Sequence, residues 1–307
     1  HDWTRPLEAG WCAQAGLAYL AQFATEGIRT MLRLFAAFLL PLALTACASV
    51  ERIALPKVAP IAGANWAAAA DRQRITVNYS AYDTFLQRYR TVDDSGIARL
   101  RYKAVSPKDR ASLNSFVDQL EATDPQALTR DQQLAFWINL YNAQTIALIL
   151  DHYPVASIRD ISDGPLRLGP WNRPDVQVRG QALSLNDIEH RIVRAHFKEP
   201  RVHYALNCAA LGCPNLKAEA WRPQSLDADF EAAQTAYLAH PRGVSVDANG
   251  RVTASKIFIW FREDFGTTNQ DVLAQLVAHT PPEKSAALAR RGRIDKYAYD
   301  WGLNEAR

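Results

Sequence analysis

Two kinds of hydrophobic pattern divide the chain. Between Ser80 and Tyr153 apolar positions recur every three to four residues, the spacing that lays one face of a helix on a core. "SAYDTFLQRYR" (80–90) and "SPKDRASLNSFVDQLEAT" (106–123) follow it, and Pro107 stands just inside the second stretch, where a missing N–H costs nothing. Thr129-Arg130-Asp131-Gln132 then forms a capping box ahead of "LAFWINLYNAQTIALILDHY", which predicts a third helix. On a helical wheel its solvent-compatible residues, Gln133, Gln144 and Asp151, fall in one narrow stripe, and nearly everything else is apolar. Such a helix is covered on most sides and is expected at the centre of the domain. Asn139 and Asn142 lie off the stripe, so they are expected to be buried and hydrogen-bonded, either bracing neighbouring backbone or lining a pocket.

Beyond Tyr153 the periodic stretches shorten. A Gly/Pro-dense loop precedes "VQVRG", whose alternation predicts a short strand. Ser184, with Asp187 three residues on, caps a helix through about Phe197 that carries His190, Arg191, Arg194 and His196. "VHYAL" after Pro200 has strand character, placing Val202, Tyr204 and Leu206 on one face and His203, Ala205 and Asn207 on the other. "DADFEAAQTAYLAH" predicts a helix, "GVSVDANGRVTA" a hairpin turning at Asn249-Gly250, and a further helix is expected near Asp271 to His279. Helices first and short strands later predict an α+β fold: a helical first half around a buried central helix, then a small antiparallel sheet.

The start of the chain changes the picture. Met31 is the only methionine among 307 residues, so residues 1–30 read as upstream translation. From Met31 the chain runs "MLRLFAAFLLPLALTAC": one early arginine, an apolar run too short to span a bilayer, and the flanks of a secretory signal peptide. Leu44-Thr45-Ala46-Cys47 resembles a bacterial lipobox, which implies cleavage before Cys47 and a diacylglyceryl group with further acylation, palmitate-like, on it. Ala48 after the cysteine implies outer-membrane sorting, so the expected location is the outer membrane with the domain facing the periplasm. Residues 47–72, rich in Ala and Pro, read as a lipid-anchored tether, and 73–307 as a single domain. The formal charge of +3, without a Lys/Arg run, gives no electrostatic case for nucleic acid.

Five blocks, "LAFWINLYNAQTI", "LSLNDIEHRIVR", "RVHYALNCAALGCPNL", "SKIFIWFREDF" and "YDWGLN", together resemble the domain-of-unknown-function family 547 from about Tyr79 to Asn304. Gly302 departs from that pattern, where the family carries serine. The resemblance implies a secreted bacterial domain and no particular activity. A more remote similarity, to papain-like and transglutaminase-like folds, lies in a buried helix followed by a His strand and a final strand with an Asp. In those folds the helix supplies the cysteine, whereas here it offers Asn139 and Asn142.

Candidate chemistry centres on Cys208 and Cys213, with four residues between them in a chain with only two other cysteines. As a nucleophile, Cys208 needs an imidazole, from His190 or His203, with Asp300 to orient it. As zinc ligands, Cys208, Cys213, His190 and His203 lack a recognised spacing, and no metal or other cofactor is expected. As a disulfide the pair suits an oxidising periplasm, leaving no mature cysteine unpaired. The disulfide is the expectation, in a non-catalytic module that binds a peptide, glycan or protein; a thiol hydrolase or acyltransferase is the alternative. His203, Asn207, His190, Arg194, Asn139 and Asn142 could converge on a cleft for a polar or anionic ligand, or form a satisfied network between helix and sheet.

Overall fold

A computed structural model describes residues 58–62, 65–162 and 168–306, all within the unit Pro56–Arg307. The stretch expected to be a signal peptide with a lipobox, and Cys47 itself, lie outside the described residues.

Helices form where the periodicity places them: α1 at Ser80–Tyr89, α2 at Pro107–Glu121 and α3 at Arg130–His152. The Ser106 hydroxyl caps α2 by accepting the Asp109 N–H, and Thr129 and Gln132 make the reciprocal box at α3. α1 packs on α2 and α2 on α3, with Tyr82 stacked on Phe116 at 5.2 Å. From Gln132 to Leu150 every residue of α3 except Gln144 is buried, so this is the central helix.

One position of its polar stripe is corrected. Gln133 is fully buried, because the segment around Ala68 and Pro125 crosses the start of α3 and offers two carbonyls to its Nε2. Asp151, at the far end of the helix, remains exposed.

β1 (Arg90–Val92) pairs antiparallel with β2 (Ala98–Leu100), and β3 (Val176–Val178) pairs with β4 (Gln181–Leu183). Arg179 and Gly180 both have positive φ at the β3–β4 turn, the geometry whose twist matches a two-residue hairpin. Ser184 and Asp187 exchange backbone and side-chain hydrogen bonds as their spacing predicts, but the helix that follows, Asp187–Phe197, is wound as a π-helix. Lys198, in the left-handed conformation, ends it.

"VHYAL" is not a strand. Pro200–Tyr204 is a 3₁₀-helix, started by Pro200 at a position that needs no N–H and capped by the Glu199 carboxylate on the Arg201 N–H. Its β-branched and aromatic residues favour a half-buried pleated surface, yet 202 to 207 are all buried, so no two-faced alternation is needed. The shared strand face expected for His203 and Asn207 therefore does not exist.

α4 (Leu226–Ala239) leads to the hairpin of β5 (Val244–Val246) and β6 (Val252–Ser255), where Gly250 takes φ +71°. Two short helices, α5 (Ile257–Trp260) and α6 (Arg262–Phe265), precede α7 (Asn269–His279) and α8 (Pro282–Arg291), the last not anticipated by the pattern. β7 (Lys296–Ala298) then runs parallel to β6, Thr253 opposite Lys296. The fold is α+β as expected, but this last sheet is mixed rather than antiparallel. Among the described residues no helix is long and apolar enough to cross a membrane.

Candidate functional site

The asparagines of α3 face chain that has no regular partner. Asn139 donates to the Trp221 carbonyl and accepts the Trp221 N–H, each at 2.9 Å, so one side chain satisfies both polar groups of a buried residue. Asn142 donates to the Ala205 carbonyl at 3.0 Å and accepts the Asn207 N–H at 2.8 Å. Asn207 continues inward, donating to the Pro214 carbonyl at 2.8 Å and accepting the Ala209 N–H at 2.9 Å. All three are at most 6% exposed. They brace backbone, their amides engaged by main-chain groups.

Around the π-helix the polar residues are ionic. The Arg194 guanidinium donates through Nε to Asp264 (2.6 Å), through Nη2 to Glu263 (2.8 Å) and through Nη1 to Nδ1 of His190 (3.0 Å). A guanidinium cannot accept, so His190 Nδ1 accepts and its ring proton sits on Nε2. Burial, partly opposed by Glu189 and reinforced by the charge of Arg194, pushes the His190 imidazole down to about 4. His203 reaches Asp264 through Nε2 at 2.6 Å, with Glu189 3.7 Å from Nδ1, and stacks on Phe261 at 4.1 Å. Burial works to raise Asp264, but hydrogen bonds from His203 and Arg194 outweigh it and bring the carboxyl down to about 2. An ionised carboxylate only accepts, so His203 Nε2 is the donor. Burial, then the Glu189 carboxylate it hydrogen-bonds, holds the Tyr141 phenol well above its usual range. Arg194, Glu263 and Asp264 form part of the lining of a cleft of about 450 Å³ that Val58 and Pro60 also line.

The cysteines occupy a separate arrangement. A disulfide joins Cys208 to Cys213. The Cys208 N–H donates to Cys213 Sγ at 3.0 Å, and the Tyr299 hydroxyl lies 3.1 Å from Cys208 Sγ and 3.0 Å from Cys213 Sγ. Backbone bonds from Leu211 to Gly302 and from Gly212 to Asp300 tie the loop to the chain after β7. A Cβ on Gly212 would lie 2.8 Å from the Asp300 nitrogen, so the close approach requires glycine.

These positions decide the sequence-derived sets. Asp300 is exposed and its carboxylate accepts the Gly302 N–H, so it orients no imidazole. Among the described residues the Cys208 sulfur is bonded to Cys213 and lies against the Tyr299 hydroxyl, while His190 and His203 belong to the Arg194–Asp264 cluster; the Cys208–His–Asp300 triad is not assembled. The zinc set is not assembled either, since its two sulfurs are bonded to each other. Arg194 does join His190 directly, and His203 by way of Asp264, a residue outside the expected set. Its signal was present in "SKIFIWFREDF", where Glu263 and Asp264 are adjacent carboxylates in an otherwise apolar and basic block. Tyr299, likewise outside that set, stands directly before Asp300.

The central helix, the π-helix and the bridged loop thus form one continuous stretch from the Pro125 turn into α4. Residues 125–238 match a protein family described as Protein of unknown function, DUF547. The DUF547 match holds the bracing asparagines, His190, Arg194, His203 and both bridged cysteines, while Asp264 and Tyr299 reach in from beyond it. It is narrower than the five-block resemblance, two of whose blocks lie downstream. No curated protein and no solved structure matches the chain.

Proposed function

We propose that this DUF547-bearing chain is a lipid-anchored module of the bacterial envelope that works by binding a peptide or protein partner, not by a resting cysteine nucleophile. In this reading Cys47 carries the lipid, the tether is the part of 47–72 that precedes the residues packed on the domain, where Trp66 is buried, and the domain faces the periplasm from the outer membrane. The observation that carries the non-nucleophile part is the bond between the two sulfurs: a disulfide sulfur is not a thiolate. The commitment of both histidines to Arg194 and Asp264 supports it, because a thiol without an imidazole in reach lacks its base.

The test is thiol counting by mass spectrometry on the full chain exported to a periplasm, unreduced and treated with iodoacetamide. The expected result is no label on Cys208 or Cys213 and a mass two hydrogens below that of the reduced chain. Rapid labelling of Cys208 alone overturns the reading in favour of a thiol hydrolase or acyltransferase. The anchoring is tested by Cys47→Ser, which is expected to move the protein from the outer-membrane fraction to the soluble one.

A further inference from the structure

The bridge is chemically lopsided. Cys208 is partly exposed, whereas Cys213 is 2% exposed. Cys213 Sγ alone receives the Cys208 N–H, at 3.0 Å, while the Tyr299 hydroxyl lies between the sulfurs, 3.0 Å from Cys213 Sγ and 3.1 Å from Cys208 Sγ. Burial raises the Tyr299 phenol well above its ordinary range, so it keeps its proton and stays a donor. The backbone donor serves Cys213 Sγ and the hydroxyl stands within reach of it, which favours negative charge there, and Cys208 is the more exposed residue of the pair.

Beside Cys208 lies a group of aromatic rings. Tyr299 packs on Trp260 at 4.8 Å and on Trp301 at 4.7 Å, and Trp171 meets Trp301 at 5.5 Å. Tyr299, Trp171 and Trp301 each reach the surface in part. A polypeptide whose cysteine is flanked by apolar side chains suits this surface, because its flanks can be buried there while its sulfur meets Cys208.

We propose that Cys208–Cys213 is an exchange-active bridge that captures a cysteine-bearing polypeptide as a mixed disulfide on Cys208. The proposal rests on the bridged, partner-binding reading above and names the partner's chemistry. The partner's thiolate forms a bond to Cys208 Sγ. The Cys208–Cys213 bond breaks, and its electron pair passes to Cys213 Sγ, which leaves as a thiolate held by the Cys208 N–H and the Tyr299 O–H. Attack by the Cys213 thiolate on Cys208 Sγ reverses the step, reforms the bridge and expels the partner's thiolate. No outside oxidant or reductant is consumed. Tyr299 is a positioning residue for the leaving sulfur.

The test uses the full chain, oxidised, in detergent micelles, with two probes: glutathione, and a synthetic peptide carrying one cysteine between leucine and phenylalanine. Samples are quenched with acid and mapped by mass spectrometry. The expected adduct is on Cys208 and not on Cys213, forming faster with the peptide than with glutathione. Tyr299→Phe is expected to slow adduct formation about tenfold or more, the scale of losing one hydrogen bond to a charged group, with an unchanged melting temperature. Trp301→Ala is expected to slow the peptide more than glutathione, so that the ratio of the two rates falls to about one. A bridge that is present but gives no adduct, or equal adducts on both cysteines, overturns the exchange proposal and leaves the bridged reading standing. Equal rates for the two probes overturn the polypeptide assignment. Free thiols before any probe is added overturn both readings.

Discussion

The amide braces of α3 and the ionic cluster of the π-helix are both buried polar networks touching the same 3₁₀ segment, and they answer to different physics. Asn139 and Asn142 are neutral and meet backbone groups, which cannot move away or change charge. Arg194, His190, His203 and Asp264 meet one another, and three of them, His190, Arg194 and Asp264, have titrations displaced by burial and by these contacts. The first network is therefore expected to set which conformation the chain adopts at every pH. The second makes stability depend on pH. Specific geometry alone does not distinguish them; the charge of the partner does.

The largest effect that tests this contrast is expected at the braces. Asn139→Ala leaves a buried N–H and a buried carbonyl of Trp221 without partners, and each orphaned group costs about 1 to 3 kcal/mol, so a loss of about 4 kcal/mol is expected. Asn142→Ala is expected to match it through Ala205 and Asn207. Urea unfolding should give the same loss at pH 7.5 and pH 5. A loss that varied with pH would mean the braces act through the ionic cluster, and the comparison would collapse.

The next effect belongs to the cluster. His190 is pushed down to about 4 from an ordinary 6.5 by burial and by facing Arg194 and His203, against the attraction of Glu189 and Asp264. The folded state then binds fewer protons than the unfolded one at intermediate pH. Stability is full above about pH 6.5 and falls as the pH drops toward 4, by about 3 kcal/mol in total from this residue. Asp264, down to about 2, extends the loss below pH 4, since its contribution is present above the unfolded carboxylate value and disappears as pH falls through 2. His190→Asn, which keeps an acceptor toward Arg194, is expected to flatten the limb between pH 6.5 and 4 and to leave the limb below pH 4. A parent-like slope in that variant would assign the limb to another group.

What the sequence disclosed differs between these regions for a reason. The capping boxes at Thr129 and Ser184 and the buried asparagines were legible because caps and helical wheels are local. The partners of Asn139, His203 and Cys208 were not, because Trp221, Asp264 and Tyr299 are 82, 61 and 91 residues away along the chain. "VHYAL" was misread because β propensity describes a pleated, half-buried surface, and residues 202–207 are covered on all sides. Asp300 was chosen as an acid near the end of the fold, yet it is the neighbouring Tyr299 that turns toward the sulfurs. Spacing constrains which face a residue takes within an element; it says nothing about which element comes to meet it.

The smallest effect is expected at the bridge, and the reason lies in what else holds its loop. The ring closed by Cys208 and Cys213 is short, so the chain-entropy contribution is about 2 kcal/mol at most. The loop is also tied by Leu211 N–H to the Gly302 carbonyl at 2.7 Å, by Gly212 N–H to the Asp300 carbonyl at 2.8 Å, and by the Tyr237 hydroxyl to the Gly212 carbonyl at 2.8 Å. These bonds do not need the sulfurs. The double variant Cys208→Ser, Cys213→Ser is therefore expected to fold, with a loss of about 2 kcal/mol or less, equal at pH 7.5 and pH 5 because neither network loses a member. Unfolding of the double variant, or a loss as large as that of Asn139→Ala, would make the bridge a structural necessity. A small loss would leave the sulfur–sulfur bond free to open and close on a scaffold that stays in place.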